Sequence, residues 1–323
     1  MSPPGVLHLD TELSWRGGQR QLELLALGLA DLGFEQRIAC VPGSPISQAL
    51  AGLPQLAMHP GRDPRNWALL RGAPEPLLAA HTSRTQSLAV WAGRRPVVHR
   101  RVDFRVRGRA LKTCRALGFI AVSSAVRGVL MDCGVASEDI LVVPDGVQTP
   151  PAVPPANLGP GRIALAVGAL VDHKDHRTLA AAAALLPDVR VLVAGEGPLR
   201  PQLEGTALEL LGQREDVPAL LARADCFVHC SKEEGLGQAV LEAMRAGVPV
   251  VATRAGGVPE VVGTHGLLVA PQDPNALAEA IGRSLAGDRP DTRRAAEHAA
   301  QWSAAAMVER TAQAYRHFHS RLH

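Results

Sequence analysis

The sequence of 323 residues contains few aromatic side chains: five Phe, four Trp and one Tyr. Its cores must therefore be built from Leu, Val and Ala, which suits helices packed on parallel strands. It also lacks an apolar run of bilayer-spanning length, so we expect no transmembrane helix. A net charge of +3 and a hydrophobic content of 46% exclude an intrinsically disordered chain. Glycine and proline show no regular period, which excludes a collagen-like repeat.

Cysteines are few, and their spacing indicates no cross-linking. The five cysteines are an odd number and include no Cys-x-x-Cys pair. The pattern predicts neither a disulfide framework nor a structural zinc site, and it favours a reducing, cytoplasmic location. The N-terminus has no basic segment before an apolar one, so we expect no signal peptide.

The small net charge conceals an asymmetry between the two halves of the chain. Residues 1–150 contain 17 Lys and Arg against 12 Asp and Glu, whereas residues 151–323 contain 17 against 19. Much of the excess lies between His99 and Arg115, with seven basic residues and one acidic residue. This segment is either a solvated helix face or a surface for an anionic acceptor or a membrane. The second interpretation allows peripheral contact with a membrane; no nucleic-acid partner is predicted.

Strand-like and helix-like segments alternate along the whole chain, which predicts α/β units with parallel sheets. Apolar runs predict strands at 5–9, 36–41, 77–80, 96–99, 119–122, 163–167, 189–194, 226–229 and 249–252. Amphipathic patterns predict helices at 19–32, 175–186, 217–223, 238–246, 274–286 and 304–319.

A proline-rich segment interrupts this alternation. Six prolines lie between Pro144 and Pro160, a density that neither a helix nor a central strand tolerates. We interpret it as a linker between an N-terminal domain, residues 1–152, and a C-terminal domain, residues 153–302. A helix over 303–323 is expected to pack back on the N-terminal domain.

The most informative segment runs from Ser231 to Val251. A predicted strand ends at His229, a turn containing Gly235 and Gly237 follows, and a helix begins. Glycines allow a ligand to approach the backbone, and the N-terminus of a helix attracts anions. The segment is thus suited to holding a diphosphate.

Two glutamates, Glu234 and Glu242, stand in this segment with seven residues between them. Glu242 lies among Val240, Leu241 and Ala243, where burial without a polar partner would be costly. Ligand hydroxyl groups are suitable partners for both carboxylates.

This segment resembles the E-x7-E signature of retaining glycosyltransferases of family 4, which have the GT-B fold. The resemblance extends to segments that begin at Trp15, Ala121, Ile140, Val167, Ala194, Gly256 and Gly266. It implies two Rossmann-like domains with a deep interdomain cleft, and an enzyme that uses a UDP-, GDP- or ADP-linked sugar. The implied acceptor is a glycan or glycolipid of the bacterial envelope, of the lipopolysaccharide type.

The resemblance also implies roles for individual residues. Glu234 would contact the donor sugar as a catalytic residue, Glu242 would contact the ribose, and Lys174 would hold the phosphates. The donor would further be held by Gly235, Leu236, Gly237, Gln238 and Ala239, and its base would lie near Gly212 and Gln213.

In the N-terminal domain the resemblance implies a phosphate-facing turn at Gly17 and Gly18. It places a histidine beside the reacting centre, for which His81 is the first candidate and His99 the second. One departure stands out: Ala169 occupies the position where the family commonly has an arginine.

Two residues in the C-terminal half are candidates to supply the missing positive charge, Arg200 and Lys232. The sequence does not decide between them.

No carboxylate nucleophile is evident opposite Glu234, which fits a front-face displacement. No Asp-x-Asp pair occurs, so we expect no metal ion and no cofactor. The alternatives are a nucleotide-sugar epimerase on the same fold and a non-catalytic sugar-nucleotide-binding subunit. A dinucleotide-dependent dehydrogenase is disfavoured because no G-x-G-x-x-G follows the first strand.

Overall fold

The computed structural model describes residues 3–61, 63–103 and 115–322. The chain divides into two compact units, one formed by residues 1–146 and 304–323 and the other by residues 147–303. The domain boundary expected at residue 152 lies within the second unit. The proline-rich segment connects the last strand of the first unit to the first strand of the second.

The described part of the first unit is a parallel sheet with helices between its strands. The strands are β1 (Val6–Leu9), β2 (Gln36–Cys40), β3 (Gln55–Ala57), β4 (Leu77–Ala80), β5 (Val97–Arg100), β6 (Gly118–Ala121) and β7 (Ile140–Val142). The helices are α1 (Gly17–Asp31), α2 (Pro45–Ala49), α3 (Arg65–Arg71), α4 (Ser83–Trp91) and α5 (Ser124–Asp132). The strand order is β3-β2-β1-β4-β5-β6-β7, so the direction of winding reverses between β1 and β4.

The second unit repeats this plan. Its strands are β8 (Arg162–Val167), β9 (Val189–Ala194), β10 (Leu208–Gly212), β11 (Cys226–His229), β12 (Val250–Thr253) and β13 (Leu267–Val269). Its helices are α6 (His176–Ala183), α7 (Arg200–Leu203), α8 (Val217–Arg223), α9 (Gln238–Arg245), α10 (Val258–Val262), α11 (Pro274–Leu285) and α12 (Thr292–Ala299). The order β10-β9-β8-β11-β12-β13 reverses between β8 and β11. Open sheets of this kind bind ligands at that reversal, outside the carboxyl ends of the strands.

A long helix, α13 (Ala304–Ser320), packs within the first unit. Its buried face, which includes Tyr315 and Phe318, belongs to the same core as β1 and β4. Gly118 is required for this contact, because a Cβ there would lie 2.0 Å from Phe318 Cε1. Among the helices in the described ranges, none is both long and apolar enough to cross a membrane.

The predicted α/β class is confirmed, and so is each predicted strand to within a residue or two. Four strands were not predicted: β3, β7, β10 and β13. They are the outermost strands of the two sheets.

Candidate functional site

The carboxyl ends of β8 and β11 lie side by side where the second sheet reverses its winding. Lys174 follows β8 and ends a short 3₁₀ turn, Asp172–Lys174. Glu234 lies in the loop between β11 and α9. Because parallel neighbours open their loops at one edge of the sheet, these two side chains meet although they are distant in sequence.

The Lys174 ammonium donates a hydrogen bond to Glu234 Oε2. The same oxygen accepts a hydrogen bond from Ser231 Oγ at 3.4 Å and lies 3.1 Å from His229 Nε2. Burial alone would raise the pKa of Glu234, but the positive charge of Lys174 and the contact with His229 together hold the pKa well below its ordinary value. Glu234 is therefore an ionised carboxylate in a largely buried position.

Backbone and side-chain bonds tie the two loops together. The thiol of Cys230 donates to the carbonyl of Lys174 at 3.1 Å, and the amide of Lys232 donates to the carbonyl of His173 at 2.8 Å. The turn ends at Asp175, whose φ of 52° is left-handed. The backbone of Lys174 is thus held by its own turn and by the loop that follows β11.

Helix α9 begins directly after the glycine turn. Gly235, Leu236 and Gly237 are buried, whereas Gln238 and Ala239 are partly exposed. Gly237 has a φ of +98°, and a Cβ there would lie 3.2 Å from Val258 Cγ2. Only glycine meets both conditions without strain.

Glu242 lies one turn into α9 and is partly exposed. The helix is amphipathic, with Val240, Leu241, Ala243 and Met244 buried. Glu242 is therefore less enclosed than its apolar neighbours in the sequence suggested.

Gly212 ends β10 with a φ of +73°, and a Cβ there would approach Glu196 Oε1 to 3.1 Å. Gln213 follows it in the loop at the same edge of the sheet. Beside them, Arg200 pairs with Glu196 at 2.5 Å and with Glu204 at 3.0 Å. Arg200 is thus already engaged by two carboxylates.

Lys232, the other candidate to replace the family arginine, pairs with the exposed Asp172 at 2.9 Å. The carbonyl of Ala169 lies 3.2 Å from His176 Nε2. Of the cationic side chains considered from the sequence, Lys174 is the one that contacts Glu234.

In the first unit, Gly17 and Gly18 are the first two residues of α1 rather than a turn before it. A Cβ at Gly18 would meet nothing within 4 Å. The next residue, Gln19, donates from Nε2 to the buried carboxylate of Asp10 at 2.8 Å. This bond links the start of α1 to the end of β1.

His81 follows β4 and is buried in a polar cluster. Arg101 Nη1 lies 3.2 Å from His81 Nδ1 and can only donate. His81 therefore carries its proton on Nε2 and donates to His8 Nδ1 at 3.0 Å, and His8 Nε2 donates to Gln36 Oε1 at 3.1 Å. Both ring nitrogens of His81 are used within the first unit.

His99, the second candidate, belongs to the same cluster. Its ring stacks on that of His81 with centroids 4.4 Å apart, and its Nε2 lies 2.7 Å from the Tyr315 hydroxyl. Arg101 is held in turn by Asp145 at 2.9 Å. The roles of Arg101, Asp145 and Tyr315 were not predicted from the sequence. The sequence does show a histidine, His8, inside the otherwise apolar strand β1, and this is a local sign of a buried polar cluster.

All three histidines of this cluster are neutral. Burial lowers the pKa of His8 to about 4, and it lowers the pKa values of His81 and His99 well below their ordinary range. The positive charge of Arg101 acts in the same direction on each ring.

Two further expectations concern the basic segment and metal ions. Most of the segment between His99 and Arg115, including Arg105, Arg107 and Arg109, lies outside the described residues. Within the described ranges, no group of three or more His, Cys, Asp or Glu side chains is arranged to hold a metal ion.

Two doubly wound parallel sheets in separate units are the arrangement of the GT-B fold. HepE from Anabaena, solved in complex with UDP and glucose, superimposes with a TM-score of 0.80 at 21% identity, over 96% of this chain and 99% of that chain. The predicted GT-B class, with two Rossmann-like domains, is confirmed.

Residues 161–287 match the family model described as Glycosyl transferases group 1. The lipopolysaccharide core biosynthesis glycosyltransferase LpsE of Rhizobium meliloti is 34% identical over 141 residues, which are 41% of this chain and 42% of that protein. The D-inositol 3-phosphate glycosyltransferase of Corynebacterium urealyticum is 41% identical over 160 residues, or 42% of this chain and 37% of that protein. The matches thus span less than half the length of these relatives. Residues in the second unit are thus similar to group 1 glycosyltransferases, and the match to the family model covers less than half of the chain.

Proposed function

We propose that this protein is a retaining glycosyltransferase of family 4 that transfers a sugar from a nucleotide-sugar donor to an acceptor. The observation that carries the proposal is the hydrogen bond between Lys174 and Glu234, at the point where the second sheet reverses its winding. The superfamily match over residues 161–287, which includes both side chains, supports it independently.

The proposed roles follow from charge and geometry. An ammonium has three donors, so Lys174 can hold Glu234 and a phosphate oxygen at the same time. The ionised Glu234 accepts hydrogen bonds from sugar hydroxyls, and Glu242 accepts them from the ribose. The backbone from Gly235 to Ala239 stabilises the diphosphate as it departs, because negative charge grows where a helix begins.

Within this proposal the reaction is a front-face displacement. The bond between the anomeric carbon and the donor phosphate oxygen breaks, and the acceptor oxygen bonds to the same face of that carbon. The acceptor proton passes to the departing phosphate oxygen, so no base from the chain is required. Since Ala169 provides no cation, Lys174 and the start of α9 would be the main stabilisers of the leaving group.

We further propose that the donor carries UDP, GDP or ADP and that no metal ion or cofactor takes part. The acceptor is proposed to be an envelope glycan or glycolipid, by similarity to LpsE, which acts in lipopolysaccharide core biosynthesis. Such an acceptor is consistent with a cytoplasmic protein that contacts the inner membrane through the basic segment. An epimerase or a non-catalytic subunit is not favoured, since the relatives described above carry the names of glycosyltransferases.

The test combines thermal-shift screening with UDP, GDP and ADP and turnover with the matching sugar nucleotides. Glu234→Gln should lower turnover by about 100-fold or more, because a neutral amide replaces the carboxylate. Lys174→Met should weaken nucleotide binding by about tenfold to a hundredfold through loss of a charge-assisted bond. Activity should persist in EDTA.

Glu297→Gln is the matched control, because it neutralises an exposed carboxylate on α12. It should leave binding and turnover unchanged. A Glu234→Gln protein with wild-type turnover would refute the proposed role of Glu234.

A further inference from the structure

His229 is the last residue of β11, and only 4% of its side chain is exposed. Its Nε2 lies 3.1 Å from Glu234 Oε2, the oxygen that also receives Lys174 and Ser231. In the described part of the chain this buried Nε2 has no hydrogen bond of standard geometry, and Glu234 Oε2 is the carboxylate oxygen that it approaches. The distance of 3.1 Å is within the range of an N–H···O hydrogen bond.

The backbone around His229 is held firmly. His229 pairs with Ala252 of β12 in the parallel ladder. The hydroxyl of Thr253 donates to the carbonyl of Ser231 at 2.6 Å and lies 3.4 Å from that of His229. The ring therefore stands on a fixed strand, whereas Lys174 reaches Glu234 through a long, flexible side chain.

We propose that His229 is a positioning residue for Glu234, holding Oε2 through its Nε2 proton when the Lys174 ammonium turns toward the donor phosphates. This inference rests on the proposed function and deepens it. When Lys174 is shared with a diphosphate, its hold on Glu234 weakens, and the hydrogen bond that Ser231 makes to Oε2 is long, at 3.4 Å. A further donor on a fixed strand keeps the carboxylate in place.

The surrounding charges support a neutral donor at this position. The charged or titratable groups near the ring are Lys174, Glu234 and His176. Burial lowers the pKa of His229, and the positive charge of Lys174 adds to this effect against the attraction of Glu234. A neutral ring donates its proton without placing a second positive charge beside the ammonium.

The first experiment does not depend on activity. The ¹⁵N spectrum of the histidine rings, recorded at pH 7 on the wild type and on Glu234→Gln, reports which nitrogen of His229 carries the proton. We expect the proton on Nε2 and a displaced Nε2 signal in Glu234→Gln. A proton on Nδ1 instead, or an Nε2 signal that does not respond to Glu234→Gln, would overturn the proposal.

The second experiment compares three substitutions in the turnover assay. In His229→Gln an amide N–H can occupy the place of Nε2, in His229→Asn the amide is too short to reach it, and His229→Phe keeps the ring volume without a donor. We expect kcat to fall about tenfold in His229→Phe and His229→Asn with little change in the KM for donor. His229→Gln should recover most of the loss.

Equal kcat in His229→Phe and His229→Gln would mean that the ring acts by packing alone, and would overturn the proposal. Thermal unfolding identifies any variant that fails to fold, and the ¹⁵N experiment needs none of the three. If the wild type shows no turnover with any donor, the proposed function fails. The contact between His229 and Glu234 is then still decided by the spectra.

Discussion

Lowering the pH from 7.5 to 5.5 should weaken the first unit, because His8, His81 and His99 are buried there in neutral form. An unfolded histidine binds a proton near pH 6.5, whereas His8 in the folded chain does so only near pH 4. Between these values the unfolded chain holds more protons than the folded chain. The free energy of unfolding therefore falls as the pH falls through this window.

The magnitude follows from the same linkage. At pH 5.5, one unit below the unfolded pKa, each histidine that stays neutral lowers the free energy of unfolding by about 1.4 kcal/mol relative to pH 7.5. The three rings together should lower it by about 4 kcal/mol. The free energy of unfolding of a domain is only about 5 to 15 kcal/mol in total. The expected loss is therefore a large part of the stability of this unit.

The assay is urea unfolding followed by tryptophan fluorescence. Trp67 and Trp91 lie in the first unit with ring centroids 6.0 Å apart and report its unfolding. A Trp302→Phe background removes the signal of the second unit, since Trp302 belongs to residues 147–303.

Two variants test whether the three buried histidines cause the pH-dependent loss of unfolding free energy. His8→Gln removes one of the three rings and should reduce the pH-dependent loss by about 1.4 kcal/mol. His317→Gln, at an exposed position on α13, is the control and should leave the loss unchanged. A wild-type loss below about 1 kcal/mol, or a His8→Gln variant with the wild-type loss, would refute the reasoning.

Two further predictions concern glycines. Gly237→Ala should weaken nucleotide binding by about tenfold in titration, because a left-handed φ and the contact with Val258 both oppose a Cβ; Gly205→Ala, with a φ of +78° and open space around it, should bind normally. Gly118→Ala should lower the free energy of unfolding of the first unit by about 2 kcal/mol, since the new methyl group overlaps Phe318. The double variant Gly118→Ala/Phe318→Leu should recover part of this loss in the same urea assay, and a double variant no more stable than Gly118→Ala alone would contradict the overlap.

The central strands of both sheets could be predicted from the sequence, and the outermost strands could not. A strand such as β4 is buried along its whole length and shows as a continuous apolar run. In contrast, β3 and β13 contain no fully buried residue. These strands are held in the sheet by hydrogen bonds to a neighbouring strand. Such backbone pairing produces no periodic pattern of apolar residues in the sequence.

The candidate site likewise has a part that could be predicted from the sequence and a part that could not. That Lys174 and Glu234 belong to one site could be anticipated because each lies in a recognisable segment after a strand, but their direct contact could not. The cluster around His81 could not, because its members come from positions as far apart as His8 and Tyr315. Long-range proximity of single polar residues has no local signature.

The return of α13 to the first unit has a consequence for synthesis on the ribosome. The second unit is one continuous stretch of chain, whereas the first is completed only by residues that emerge after it. At about 5 to 20 residues per second, translation of residues 147–303 takes on the order of ten seconds. Throughout that interval the apolar surface around Gly118, which Phe318 later covers, stays open on the nascent chain. A chaperone that shields this surface until α13 arrives would act on a defined and temporary target.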